Sequence, residues 1–299
     1  MTAIPPPQVS SGIAPSVGFA VSAMISVQLA AALSRPLMSE IGAPAVTWIR
    51  MVAAAAVLLA LTRPRWRGRP RGAVLTSLLL GAALALMSAT FFAAVNRLPL
   101  GLVATIAFLG PLSVAVIGAR TARPLALGLA LMAGVGVTLI VAPYANGTND
   151  GWAVDLVGLG FALIAALGWA LYIVLIRRVG SHFSRSDGLC FALLTAAMLL
   201  APAGLGGLHR VPDISVILGA AGLAVLAPLL PCWLEMTALR KLGTQSFGIM
   251  MSLEPAIATV LGLLILHETP TRQQIVGTAY VVLASAAAVV LLGRKHDLV

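Results

Sequence analysis

The sequence predicts an all-α integral membrane protein, ten transmembrane helices arranged as two inverted five-helix repeats. Three observations point there: the apolar balance of the chain, the sidedness of its basic residues and a similarity between its halves. The 299 residues are 60% hydrophobic and only 9% charged, with a mean hydropathy of +1.03. A soluble domain carries roughly 25% charged residues, so lipid is the main solvent here. Apolar runs of spanning length lie at roughly 14–34, 44–62, 73–95, 100–118, 124–143, 155–176, 188–208, 214–237, 245–267 and 273–293. Each is close to the ~20 residues that a ~30 Å hydrocarbon core demands.

The short connections between these runs leave no room for an extramembrane domain. With both termini placed in the cytoplasm, fourteen Lys and Arg residues fall inside and four fall outside (Arg35, Arg97, Arg210 and Arg272), while Arg50 lies within the second run. That imbalance fixes the expected orientation by the positive-inside rule. It also accounts for the net charge of +10 without nucleic acid. The arginine-rich stretch RPRWRGRPRG (63–72) reads as a cytoplasmic anchor beside two spans. Residues 1–13 have no basic region before the first apolar run, unlike a signal peptide, and read as a disordered cytoplasmic tail. The expected location is a bacterial inner membrane.

The internal similarity aligns 94–116 with 238–260. At a shift of 144, Leu98 meets Leu242, Pro111 meets Pro255 and Val116 meets Val260, with Gly110 standing where Glu254 stands in the second copy. Further on, Gly128 pairs with Gly277 at a shift of 149, so the second copy carries extra residues near HETPTR. An odd number of spans per copy makes the copies enter the membrane in opposite senses. The expected divisions are a first repeat over 14–143, a periplasmic loop over 144–154, a second repeat over 155–293 and a cytoplasmic tail over 294–299. Inverted repeats are common among secondary transporters, whose sites lie near the midplane between the copies.

Within this frame Gln245–Glu268 is the costliest stretch. Glu254 sits near the middle of a span, where an ionisable group costs on the order of 2.5–3.5 kcal/mol on insertion scales. Pro255 follows and removes one helical hydrogen bond, leaving the carbonyl of Met251 without its donor. Such a carbonyl needs a protein partner or a wet cavity. Glu254, Pro255, Gly110 and Pro111 are therefore the expected substrate and proton pathway, with Glu254 as central acid; a carboxyl satisfied by a neighbouring helix is the simpler alternative. Gln28 and Arg50 lie at similar depth and join the candidates, although Gln28 could bridge helices and Arg50 could reach the headgroups. Trp169 and Tyr172 share a helix face and either stack on substrate or fill the core. Glu235, ahead of Arg240 and Lys241, is a candidate cytoplasmic gate or an interfacial charge. Ser88, Thr90 and Thr105 can offer neutral hydrogen bonds.

No phosphate-binding glycine loop or metal-spaced His/Cys/Asp cluster is present in the sequence, so neither an enzyme nor a cofactor or metal is expected. Cys190 and Cys232 read as small buried residues. Asn146-Gly147-Thr148 matches a glycosylation acceptor pattern only weakly. Expected partners are a small-molecule substrate, protons and the lipid bilayer, in a monomer or homodimer.

The motifs Pro231–Ala256 (PCWLEMTALRKLGTQSFGIMMSLEPA), Leu98-Pro99-Leu100-Gly101, Phe108-Leu109-Gly110-Pro111-Leu112 and Gly42-Ala43-Pro44 with Val46, Thr47 and Arg50 resemble the drug/metabolite transporter superfamily, EamA type. Within it they are most similar to bacterial inner-membrane threonine and homoserine exporters. The exporters often carry a glutamate where this chain has Ala107, and an aromatic where it has Cys232. The resemblance implies ten helices, cytoplasmic termini, a central cavity and proton-coupled export of small amino acids. A multidrug or nucleotide-sugar carrier of the same fold is the transport alternative; an integral-membrane enzyme on a lipid-linked substrate is the remote one.

Overall fold

A computed structural model describes residues 13–64, 70–118, 123–145, 155–180, 185–208 and 213–293. Residues 1–12 and 294–299 of the expected tails, 65–69 of the arginine-rich stretch, the 146–148 acceptor pattern and the rest of the 146–154 loop lie outside the described residues. The described residues are almost wholly helical, and such connections as are described between helices are short. Nine of the helices are long and apolar enough to cross a membrane.

The first, α1 (Ile13–Thr62), is 50 residues long but not one rod. Gly42 sits at φ 83° and ψ 153°, a backbone state that glycine enters without a Cβ penalty. The Arg50 guanidinium donates to Ser34 Oγ at 3.4 Å, whereas 16 residues of unbroken helix would hold them about 24 Å apart. The chain therefore folds back at Gly42, and α1 supplies two limbs, each of spanning length.

After α1 come α2 (Arg71–Val95), α3 (Leu100–Ala107), α4 (Leu109–Gly118), α5 (Arg123–Ala145), α6 (Leu156–Gly180) and α7 (Arg185–Gly206). The rest is α8 (Ile214–Ala224), a π-helical turn over Val225–Leu229, α9 (Leu230–Met251), α10 (Glu254–Leu266) and α11 (Arg272–Gly293). Besides the π-helical turn within 214–237, the fourth and ninth expected spans are interrupted, each just before its proline. One break falls at Phe108 (φ −67°, ψ −13°) and the other at Ser252 (φ −65°, ψ −13°). Each proline then sits in the first turn of the following helix, where its missing N–H costs least. Both breaks lie three residues before the proline and are themselves 144 apart.

The loop expected at 238–244 is helical in backbone, part of α9 (Leu230–Met251). The chain nevertheless reverses there: it follows the first limb of α1 from Leu226 at Ser26 to Trp233 beside Phe19, and Glu254 is back at Gln28.

Packing is by close backbone approach at small residues. The helix α2 lies on α6 and α7, α5 lies on α11, α3 lies on α10, and α1 lies on α7, α8, α9 and α10. At the α5–α11 crossing a Cβ on Gly136 would meet the Gly277 carbonyl oxygen at 2.7 Å, and one on Gly277 would meet that of Gly136 at 2.5 Å. Without a hydrophobic driving force between helices in lipid, such contact is what holds spans together.

Candidate functional site

Glu254 opens α10 immediately after the break at Ser252 and Leu253, and Pro255 keeps the preceding turn from closing on it. It is 5% exposed. Gln28, on the first limb of α1 and 1% exposed, donates through Nε2 to Glu254 Oε1 at 3.0 Å. The partners are 226 residues apart in sequence, so the bond joins the two ends of the chain. It leaves Gln28 Oε1 and Glu254 Oε2 buried without a partner. Unmade buried hydrogen bonds of this kind cost roughly 1–3 kcal/mol each, which makes the pair a place where a polar solute or water is favoured.

Nearby on the same limb, Ser26 Oγ donates to the Leu226 carbonyl at 2.7 Å. Arg50, 2% exposed on the second limb, donates through Nη2 to the Ala227 carbonyl at 2.9 Å and stacks over Phe92 with 4.3 Å to the ring centroid. Ala227 departs from helical geometry (φ −160°, ψ 125°), and it is this departure that offers its carbonyl sideways. Thus Arg50 caps irregular backbone at membrane depth, as such backbone requires, and it forms no ion pair with Glu254 among the described residues. Its Nε remains unpartnered.

Other expected site residues are placed differently. Gly110 lies against α6, where a Cβ would meet the Ala166 carbonyl oxygen at 2.3 Å. Trp169 packs edge-on against Phe108 at 5.6 Å, buttressing the break that precedes Pro111. Tyr172 packs among residues of α2 and α7 such as Leu84 and Leu193. Glu235 is half-buried on α9; the side chains of Arg240 and Lys241 lie outside the described residues. The hydroxyls of Thr90 and Thr105 are bonded to carbonyls one turn back on their own helices, while Ser88 is buried.

Sequence reasoning missed a second polar cluster. Arg35 Nη1 meets Glu268 Oε1 at 2.5 Å, Glu268 Oε2 accepts from the Leu100 N–H at 2.9 Å, and Arg35 Nη2 reaches the Leu98 carbonyl at 3.5 Å. His267 makes this possible. It ends α10 in the left-handed conformation at φ 55°, turning Glu268 back over Gly262, where a Cβ would stand 2.5 Å from Glu268 Oε2. The one available signal was the length difference between repeats around HETPTR.

Comparison with known proteins fixes the family. The threonine/homoserine exporter RhtA of Escherichia coli K12 is 33% identical over 278 residues, 92% of each chain. The chain belongs to the EamA-like transporter family. Residues 156–290 match that family directly. RhtA of Salmonella typhimurium LT2 is likewise 33% identical over 278 residues, and an uncharacterized transporter of Clostridium kluyveri is 27% identical over 158. One solved crystal structure, 20% identical, superposes over 95% of this chain and 99% of its own with a TM-score of 0.57, a likeness of fold. This EamA-like transporter is therefore a multi-pass membrane protein of the drug/metabolite type.

Proposed function

We propose that the chain is a secondary exporter of the bacterial inner membrane that carries small polar metabolites, foremost neutral amino acids such as threonine and homoserine, in exchange for protons. The observation that carries this reading is the Gln28–Glu254 pair, buried at a helix break with one oxygen on each partner unsatisfied. A carboxyl there can hold a proton or an ammonium group, and not both. Competition between the two is the elementary step of an antiporter. Arg50, whose Nε has no partner, is the cation on hand for a carboxylate. The 33% identity to proteins named threonine/homoserine exporters supports the same substrate class.

The packing supports ten crossings in two inverted halves. Residue pairs joined across Arg35–Glu268, Arg97–Asp155 and Gly207–Ile41 gather helix ends beside five of the connections at one end of the bundle, as alternating spans require. Pairing of α2 with α6 is mirrored by pairing of the first limb of α1 with α8 and α9, while α3–α10 and α5–α11 lie across the pseudo-axis. The termini then face the cytoplasm by the arginine asymmetry.

The test is export from cells expressing the wild type and Glu254→Gln, read as resistance to, and efflux of, L-threonine, L-homoserine and their analogues over a range of outside pH. The variant is expected at normal membrane level with pH-dependent export lost. Unchanged export would remove Glu254 from the mechanism.

A further inference from the structure

A cavity of about 350 Å³ lies between α1, α3, α5, α10 and α11, at the same end of the bundle as Arg35 and Glu268. Its wall carries both members of that pair together with His267, Thr259, Gln274 and Thr278. Gln274 is informative because its orientation is fixed by its neighbours. Its Oε1 accepts the Thr271 N–H at 2.8 Å, while Thr271 Oγ1 accepts the Gln274 N–H at 3.3 Å, a reciprocal capping box at the start of α11. With Oε1 committed, Nε2 is the polar atom that Gln274 has left at the cavity it lines. It is unpartnered there, on a residue only 6% exposed.

The chemistry on offer is two donors for an anion, Arg35 and Gln274 Nε2, beside one acceptor for a cation, Glu268. Neither a lone anion nor a lone cation suits it, because each would meet its own sign at the Arg35–Glu268 pair. A small zwitterion suits both, its carboxylate on Arg35 and Gln274 and its ammonium on Glu268, exchanging with the ion pair at no net change of charge. We propose that this cavity is a second solute site, a vestibule on the periplasmic side that receives the amino acid after Glu254 and releases it. The floor of the vestibule at Thr259 lies five residues from Glu254 on α10, about 7.5 Å along the helix axis. The placement of the cavity on a route rests on the exporter reading, while its selectivity for a zwitterion does not.

The experiment uses Thr278→Cys in a chain whose Cys190 and Cys232 are replaced by alanine, labelled in intact cells with a small membrane-impermeant thiol reagent. Labelling is expected from outside, slowed roughly tenfold by L-threonine or L-homoserine at ten times its dissociation constant. An amine or a carboxylate of similar size should give no slowing. Protection should disappear in Glu268→Gln and in Gln274→Glu, which keeps the cap acceptor and deletes the donor, and it should persist in Glu254→Gln. Isothermal titration of L-threonine into the purified parent and the same variants in lipid nanodiscs gives a second readout where a cysteine variant fails to fold. Absence of labelling from outside, labelling indifferent to the zwitterion, or protection that survives both Glu268→Gln and Gln274→Glu would overturn the proposal. Cells that export no amino acid while the zwitterion still protects would overturn the exporter reading and leave the vestibule standing.

Discussion

Gln28 and Glu254 are a matched pair, and each is costly without the other. Gln28→Leu would leave a buried carboxyl with neither oxygen bonded, and a change of this kind costs on the order of 1–3 kcal/mol. A lowered melting temperature in detergent and a displaced pH profile of export are expected. Gln28→Glu keeps the shape and sets two acids together, so activity should return only in acid medium; transport in proteoliposomes across a pH series checks both variants. Glu254 was legible in the sequence because an acid and a proline at mid-span are expensive together. Gln28 was visible only as one of several polar residues, and nothing local announced its partner 226 positions away. Arg50 was legible as costly; its use on the Ala227 carbonyl was not, since no sequence signal marks a carbonyl turned out of a helix.

The helices themselves could be read from apolar runs, and their ends could not always be. A proline forbids the hydrogen bond four residues back, so it fixes where a helix must loosen and not where the chain turns. Both breaks fall at the residue three positions earlier, Phe108 and Ser252. At 238–244 the backbone stays helical because a lone glycine among good helix formers costs little, and the reversal there shows only in contacts such as Trp233 on Phe19 and Glu254 on Gln28. Gly110, read as pathway, lies so close to α6 that an added Cβ would collide with the Ala166 carbonyl oxygen. Gly110→Ala should therefore prise α4 from α6, with overpacking of about 1–3 kcal/mol. Gly118→Ala on the same helix, with nothing within 4 Å, should be silent. Thermal unfolding of both in detergent decides the matter.

At the element carrying Glu268, burial holds the carboxyl above the ordinary glutamate range, against the pull of Arg35 and the Leu100 N–H. For an acid raised in this way, the protonated form is the one that the fold favours. Its contribution to stability is complete below the unfolded value and is lost as pH rises through the folded one. The ion pair has the opposite sense and is complete only above that window. Acidifying the outer medium is expected to loosen the Arg35–Glu268 contact at a pH milder than a free glutamate would need. Thiol labelling of Thr278→Cys should accelerate accordingly, and Glu268→Gln should remove the dependence.

For the molecule as a whole, the sidedness of the arginines makes a prediction of its own. A cysteine at Arg272 should react with an impermeant reagent on intact cells, and one at Arg71 only after permeabilisation; the reverse pattern would invert the molecule. The internal repeat is close but not complete. Its shift lengthens from 144 to 149 across the turn that bears His267 and Glu268, so under the two-repeat reading the Arg35–Glu268 clasp at one mouth has no counterpart at the other. If that clasp favours the shut mouth by as little as about 1.4 kcal/mol, shut outnumbers open tenfold at rest. A solute arriving from that side then binds with roughly tenfold weaker apparent affinity, and one arriving from the other side pays no such penalty. Five added residues would make the carrier a rectifier, slow to take back what it has just let go.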